Sequence, residues 1–307
     1  MLRPEIAFMD ITLPASSALL AYYYATVYVN GVGSLPSLFT FILATIGGFF
    51  AITGSYVFND CFDVDIDSIN LPNRPLPSGD LTIKNAFTFA TALALIAAII
   101  SFYLNPESFC VFILAFVVIT LYSWFFKRVT PFSFIPVGIA YGLVPIGIWL
   151  AFDPAGILKT SEIMTPEILP LPAIFFGLMI CMTDWGFTLA GVSRDVKGDR
   201  EKGAPTFPVT YGIPKTTRFI TIIWTIGILF SVAIGYTSKL GPAYFVFALL
   251  AGLWMLSRCF QFIRNPSPEV GGKLFVEGSN YRGVMFSAMI IDIILNIYVS
   301  GYTGILW

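Results

Sequence analysis

Apolar residues run through this chain in long unbroken blocks, with short polar stretches between them. Nine blocks approach the roughly 20 residues that a helix needs to cross the hydrocarbon core. They cover 11–30, 38–58, 86–104, 109–126, 132–152, 168–192, 219–236, 243–263 and 284–302. Runs such as ALALIAAII have no period of two, unlike the short alternating strands of a membrane barrel. The pattern predicts an all-α polytopic membrane protein with nine transmembrane helices. The first block lacks a basic leader and a small-residue cleavage site, so it reads as a span and not as a signal peptide.

Composition agrees. Of 307 residues, 57% are hydrophobic and 11% charged, with mean hydropathy +0.82. Soluble domains carry about a quarter charged residues. With 17 Lys and Arg against 18 Asp and Glu there is no basic excess to recruit nucleic acid. Cys61, Cys110, Cys181 and Cys259 lie far apart, without disulfide or zinc spacing. The chain has no histidine, so any chemistry falls to carboxylates, lysines, arginines, tyrosines and hard metal ions.

Position matters more than net charge. With nine spans, Lys159 and Lys239 fall on one side of the membrane and the other fifteen of the 17 basic residues on the opposite side. The positive-inside rule makes that basic side cytoplasmic, together with the N-terminus. The same side carries two polar loops, 59–83 and 194–218, four helices apart. That spacing hints at an internal duplication of helix groups.

In the first loop, NDCFDVDIDSINLPNRPLPSGDL, Asn59, Asp63 and Asp67 stand at i, i+4 and i+8, with Asp60 beside them. A helix continuing through this stretch would put all four on one face and Asp65 opposite, in solvent. Like charges stacked on one face destabilise a helix, so stability does not explain the pattern. The prolines of LPNRPLPSG end the helix in an extended segment that carries Arg74. The second loop repeats the spacing in Asp195 and Asp199, with Arg194, Lys197, Arg200 and Lys202 interleaved and Glu201 nearby. Two facing carboxylate groups make an all-oxygen site suited to Mg2+, and the surrounding arginines and lysines suit a diphosphate. Asp65, Asp80, Glu201, Lys215 and Arg218 read equally well as solvated loop charges.

NDCFDVDID followed by NRPLPSG, DVKGD after the sixth span, and YSWFFKR after the fourth resemble the UbiA superfamily of intramembrane prenyltransferases. The resemblance covers nearly the whole chain and implies one domain over 1–307, whose nine helices would enclose a central chamber. It implies transfer of an isoprenyl chain from a prenyl diphosphate to a lipophilic acceptor. Asn59, Asp60, Asp63, Asp67, Asp195 and Asp199 would hold Mg2+ and diphosphate. Arg74, Lys127, Arg200 and Lys202 would contact the diphosphate, and Tyr122 would lie near the allylic carbon. DIDSINLPNRPLPSG looks more like the archaeal ether-lipid, chlorophyll and tocopherol branches than the haem-farnesylating one. Among the acceptors this implies, geranylgeranylglyceryl phosphate is favoured, with an aromatic quinone precursor close behind.

Ionisable residues inside spans are rare and often functional. Asp184 stands eleven residues before Asp195 on the same helix face, about 16 Å deeper at 1.5 Å per residue. It reads either as an acceptor-binding or proton-accepting group or as an interhelical hydrogen bond. Asp292 favours a structural role, and Arg258 either snorkels or reaches the diphosphate. Arg3-Pro4 resembles the Arg-Pro that begins many family members, which makes it a candidate for the acceptor site. Two rival classes fit less well. The D-G-x-x-D-G signature of CDP-alcohol phosphotransferases is missing, and a secondary transporter would bury its charges at mid-membrane instead of at helix ends on one side.

Overall fold

The computed structural model describes residues 3, 6–159, 164–299 and 301–302. These residues form helices and connecting loops, with no strand among them. In chain order the helices are α1 (Ala7–Asn30), α2 (Leu38–Phe62), α3 (Val64–Asn70), α4 (Ile83–Leu104), α5 (Pro106–Leu121) and α6 (Lys127–Val129). There follow α7 (Phe134–Phe152), α8 (Leu171–Arg194), α9 (Val196–Glu201), α10 (Phe207–Tyr211), α11 (Ile213–Thr237), α12 (Pro242–Arg264) and α13 (Pro268–Tyr298).

Eight helical stretches of the described residues are long and apolar enough to cross a bilayer, with α5 and α6 joined as Pro106–Val129. The ninth expected span is α1. Its 24 residues match a membrane thickness, but Asp10, two serines and several tyrosines lower its apolarity. Its polar residues Asp10, Ser16 and Ser17 are buried, which fits a helix packed inside the bundle. The last span begins sixteen residues earlier than its apolar block, at Pro268, where Ser267 caps the helix by accepting from the Val270 N–H.

The bundle is built around α7 and α8, the most buried of the apolar spans, while α5 is the most exposed. Glycines permit the close approach of α7 and α8. A Cβ on Gly142 would lie 2.8 Å from the Gly177 carbonyl, and one on Gly177 3.0 Å from the Gly142 carbonyl. Without a hydrophobic drive between helices in lipid, such small-residue contacts supply the packing. They set Tyr141 and Asp184 beside the same interior space.

The helices on one side of the bundle do not end cleanly. Asp63 interrupts α2 and α3 at φ −102°, ψ 7°, and Asp195 interrupts α8 and α9 at φ −89°, ψ 6°. Both lie in the sparsely populated bridge region common at active sites. The expected continuous helix through the first motif is therefore broken at its second aspartate, Asp63. Backbone bonds carry on across each break, from Asp63 N–H to Asn59 and from Asp195 N–H to Gly191.

Candidate active site

The first motif is held by cations from three directions. Asp60 accepts from Arg3 at 2.9 Å and pairs with Arg74 at 3.3 Å. Arg74 also bonds Asp67 at 2.6 Å, so the proline-rich segment folds back over the motif. Lys127 donates to Asp63 Oδ2 at 2.6 Å, and Asn59 Nδ2 donates to the same oxygen at 2.8 Å. Asp60, Asp63 and Asp67 are all buried. Asp65 faces the other way, half exposed and paired with Arg128.

Lys127 arrives through an irregular turn. Residues Tyr122–Phe126 form a π-helical turn between α5 and α6, a feature frequent at functional sites. The extra residue per turn brings Tyr122, Ser123 and Lys127 all to the interior, where each is buried. Ser123 donates to the Asn59 amide oxygen at 3.1 Å, which orients that amide toward Asp63.

The second motif meets the first through Asn70. Its amide donates to the Asp195 carbonyl at 2.9 Å and accepts from the Gly198 N–H at 2.9 Å. A Cβ at Gly198 would come within 2.5 Å of the Asn70 amide, so the contact requires glycine. Arg194 grips Asp195 with two bonds of 2.7 and 2.9 Å. Asp199 is fully buried and accepts from Thr206 at 2.9 Å. Burial pushes the Asp199 carboxyl up to about 6, against the pull of Lys127 and Thr206. Burial likewise raises Asp67, with Arg74 opposing it. The Asp65 carboxyl is lowered, chiefly by its hydrogen bond from Arg128. Burial disfavours the Arg3 charge, but Asp60 with Tyr56 and Tyr141 together more than offset it, so Arg3 is held above its ordinary value.

Below the motifs lies a cavity of about 720 Å³. Asn59, Asp63, Asp67, Arg74, Tyr122, Lys127, Asp184 and Asp195 line it, with Arg3 and Arg194. Deeper, its walls are aromatic and apolar, from Tyr56, Tyr141, Phe187 and Phe275. Asp60 and Asp199 stand behind the lining. Arg200 and Lys202 are exposed and do not line the cavity. Arg258 also stays outside it, beside Gln261 and 3.9 Å from Glu277. Arg3 takes its place against Asp60 and over the Tyr56 ring at 4.8 Å, whereas Pro4 lies outside the described residues.

Asp184 forms a buried interhelical pair, accepting from Arg282 at 3.1 Å and from Thr188 at 3.3 Å. Arg282, assigned by its sequence position to a membrane face, is 1% exposed in the middle of α13. Its guanidinium covers the Phe187 ring at 4.3 Å, Phe187 stacks on Phe275 at 3.9 Å, and Arg194 covers Phe275 at 5.2 Å. Cation–ring contacts of this kind persist when desolvated. A column of four side chains thus joins the deep pair to the second motif. Asp10 was not singled out in the sequence; it accepts from Tyr56 at 2.9 Å beside the same space. Asp292 works elsewhere, accepting from Gly241 N–H, Tyr244 N–H and Tyr302 in a structural knot.

Among the described residues no three carboxylates converge closely enough to hold a metal unaided. Lysine and arginine side chains stand between them. Two carboxylate oxygens are nevertheless left over. Asp63 Oδ1 and Asp199 Oδ1 are buried and have no hydrogen-bond partner among the described residues. Leaving such groups unsatisfied is costly, and both are oxygen donors of the kind Mg2+ takes.

Residues 18–290 match the UbiA prenyltransferase family. The digeranylgeranylglyceryl phosphate synthase of Thermococcus sibiricus is 26% identical over 273 residues, 87% of this chain and 90% of that protein. A UbiA homolog from Aeropyrum pernix K1 has the same fold, with TM-score 0.71 at 17% identity, over 97% of this chain and 100% of that one. A UbiA homolog from Archaeoglobus fulgidus bound to DMAPP and Mg2+ aligns with TM-score 0.52 at 17% identity, over 92% of this chain and 99% of that one. The chain belongs to the UbiA prenyltransferase family.

Proposed function

We propose that this protein transfers an isoprenyl chain from a prenyl diphosphate to a lipophilic acceptor inside the membrane. The observation that carries the reading is the cavity itself. Its polar end gathers Asp63, Asp67 and Asp195 with Arg74, Lys127 and Arg194, and its depth is walled by aromatic rings. Such a space binds a diphosphate at one end and keeps water from an allylic cation at the other.

Asp63, Asp67, Asp195 and Asp199, with Asn59 and Asp60, would hold Mg2+. The unpartnered oxygens of Asp63 and Asp199 support that fit. When bound, the metal neutralises charge that builds on the departing diphosphate. Lys127, Arg74 and Arg194 now pair with carboxylates, and they would turn to the phosphate oxygens once those carboxylates are engaged. Arg3 would keep Asp60 in place. The allylic C–O bond breaks with its electron pair leaving on diphosphate. Tyr122, at the boundary of the polar and apolar zones, would present its ring to the cation. An acceptor oxygen or ring carbon then supplies the new bond and loses its proton, for which Asp184 is the deep carboxylate at hand.

The acceptor we favour is geranylgeranylglyceryl phosphate. The likeness to the Thermococcus sibiricus enzyme supports it, and an alcohol acceptor has use for a base such as Asp184. An aromatic quinone precursor is the alternative, since an electron-rich ring attacks without one. With Arg282 set aside because it lies inside α13, the remaining fourteen-to-two distribution of basic residues supports a cytoplasmic site. The matching breaks at Asp63 and Asp195 favour descent of the two motifs from one duplicated helix group. The test is an assay of the detergent-solubilised chain with radiolabelled geranylgeranyl diphosphate, Mg2+ and a panel of acceptors. Product with the glycerol phosphate lipid supports the reading, product only with a phenol supports the alternative, and no transfer to any acceptor overturns both.

A further inference from the structure

Asp10 is buried in the first turn of α1, and its surroundings do not account for it as a structural residue. Other buried acids away from the motifs are well supplied with donors. Asp292 accepts from the Gly241 and Tyr244 N–H groups, from Asn296 and from Tyr302. Glu107 accepts from the N–H groups of Ala155 and Leu158, and Asp153 from the Thr165 N–H and hydroxyl. Among the described residues the Asp10 carboxyl accepts from one group alone, the Tyr56 hydroxyl at 2.9 Å. The nearby cations are engaged elsewhere, Arg3 with Asp60 and Arg282 with Asp184. A buried acid with so few partners destabilises the fold. A place in the chemistry explains it better.

Tyr56 connects Asp10 to the chamber. It stands on α2 seven residues before Asp63, about 10 Å deeper at 1.5 Å per residue, and it lines the cavity together with Asp184. Its ring is fixed by the Arg3 guanidinium at 4.8 Å and the Tyr141 ring at 6.1 Å. With its one proton given to Asp10, the phenol oxygen has only lone pairs left to present. Such an oxygen accepts from a hydroxyl and repels another lone pair. It therefore holds an alcohol with the O–H proton pointing at itself. The adjacent hydroxyls of Ser55 and Tyr141 are engaged with each other at 3.2 Å.

An alcohol in the chamber thus meets two carboxylates, and they are not equivalent. A proton placed on Asp184 would leave Arg282 buried without a counter-charge, and its Nε and Nη2 already lack partners among the described residues. Breaking a buried pair from one side is strongly destabilising. A proton placed on Asp10 strands no cation. We propose that the Tyr56–Asp10 pair takes the proton of an alcohol acceptor, Tyr56 as the catalytic residue that touches the hydroxyl and Asp10 as the residue that acts through it. The allylic C–O bond breaks with its electron pair on diphosphate. The acceptor oxygen gives a lone pair to the allylic carbon, its proton passes to Tyr56 Oη, and Tyr56 passes its own proton to Asp10 Oδ1. Tyr56 ends unchanged, and Asp10 returns the proton by the same route to water admitted as the products leave. The inference rests on the prenyltransferase reading above and moves the destination of the proton from Asp184 to Asp10.

The test measures transfer by the solubilised full chain to geranylgeranylglyceryl phosphate and to a fluorinated analogue of it with a more acidic hydroxyl. Asp10→Asn and Tyr56→Phe each lower kcat with the natural alcohol by at least about a hundredfold, the scale of a lost general base. The KM for the donor and the binding of Mn2+ stay as in wild type. The double variant loses no more than the worse single one, because the two residues act as a unit. With the acidified analogue the loss shrinks to about tenfold or less, since a more acidic hydroxyl has less need of a base. A purely structural role would depress both alcohols equally, and that result overturns the proposal. So does full activity in Tyr56→Phe, or the acidity-dependent loss appearing in Asp184→Asn and not in Asp10→Asn. Wild-type protein that transfers only to a phenol overturns the proton path alone, whereas transfer to no acceptor overturns the functional reading itself.

Discussion

Asn70 and Gly198 lock the two acidic motifs together across 128 positions of sequence, the Asn70 amide oxygen accepting from the Gly198 N–H at 2.9 Å. The other half of the same amide donates to the Asp195 carbonyl, so one side chain fixes the start of α9 against the end of α3. Asp63 and Asp195, the residues at which the helices break, are held at a set separation by this clip. A site made of two half-sites depends on such a tie, because a displacement of about 1 Å can cost about a hundredfold in rate.

Asn70→Ala is therefore expected to cut turnover by roughly ten- to a hundredfold while the helical content stays as in wild type. The loss corresponds to two hydrogen bonds at about 1 kcal/mol each. Gly198→Ala should do comparable damage by forcing the amide aside. Circular dichroism and steady-state kinetics on the same preparations check this, and an Asn70→Ala enzyme with wild-type turnover would rule out the clip.

For the metal, Asp63→Asn and Asp195→Asn remove one charge from each half-site. Turnover should fall by about a hundredfold to a thousandfold, the scale of losing one positioned electrostatic group. Removal of Mg2+ by EDTA should abolish transfer and its return should restore it. Titrating Mn2+ by electron paramagnetic resonance gives a readout independent of activity, and both variants should bind it more weakly. Magnesium-independent transfer, or undiminished transfer in both variants, would sink the metal assignment.

Much of this site was legible in the sequence because the relevant spacing is local. Asn59, Asp63 and Asp67, or Asp195 and Asp199, announce themselves by recurring every four residues where apolar runs end. What was not legible is which distant residue answers them. Arg3 reaches Asp60 over 57 positions and Arg282 reaches Asp184 over 98, and no periodicity records which helix faces which. Arg200 and Lys202 sit beside the acids in sequence yet point outward, whereas Arg194 and Arg3 line the cavity. Arg282 was misplaced for a further reason. The first turns of α13 are rich in glycine and charge, so an apolar window starts too late and leaves Arg282 outside the span. The Ser267 cap and the proline after it were the signal that would have started the helix correctly.

Asp65 provides the contrast within the first motif. It is the one acid of that loop's helical stretch that turns away, with its side chain 46% exposed against Arg128. Exposed pairs contribute about 0.2–1 kcal/mol. Asp65→Asn should leave turnover as in wild type and shift thermal stability only slightly, and high salt should erase even that. Because Arg128 lowers the Asp65 carboxyl, whatever the pair contributes is present above the unfolded-state carboxylate range and is lost as pH falls through the lowered value. A large loss of activity in Asp65→Asn would show that the motif uses both of its faces.

The Asp184–Arg282 pair separates fold from chemistry by experiment. Both side chains are almost completely buried, and Arg282 Nε and Nη2 have no hydrogen-bond partner among the described residues. Removing one member strands a charge and should cost about 3–5 kcal/mol, whereas replacing both with apolar side chains of similar volume is often neutral. Asp184→Asn and Arg282→Met are each expected to lower the melting temperature, and the double variant Asp184→Leu/Arg282→Met to recover it. Recovery of the fold should not bring back O-prenylation if Asp184 receives the acceptor's proton, since leucine has no oxygen to offer. Transfer to an aromatic acceptor, which needs no base, should return with stability in that same double variant. A double variant that regains both stability and transfer to an alcohol would reduce Asp184 to a purely structural partner of Arg282.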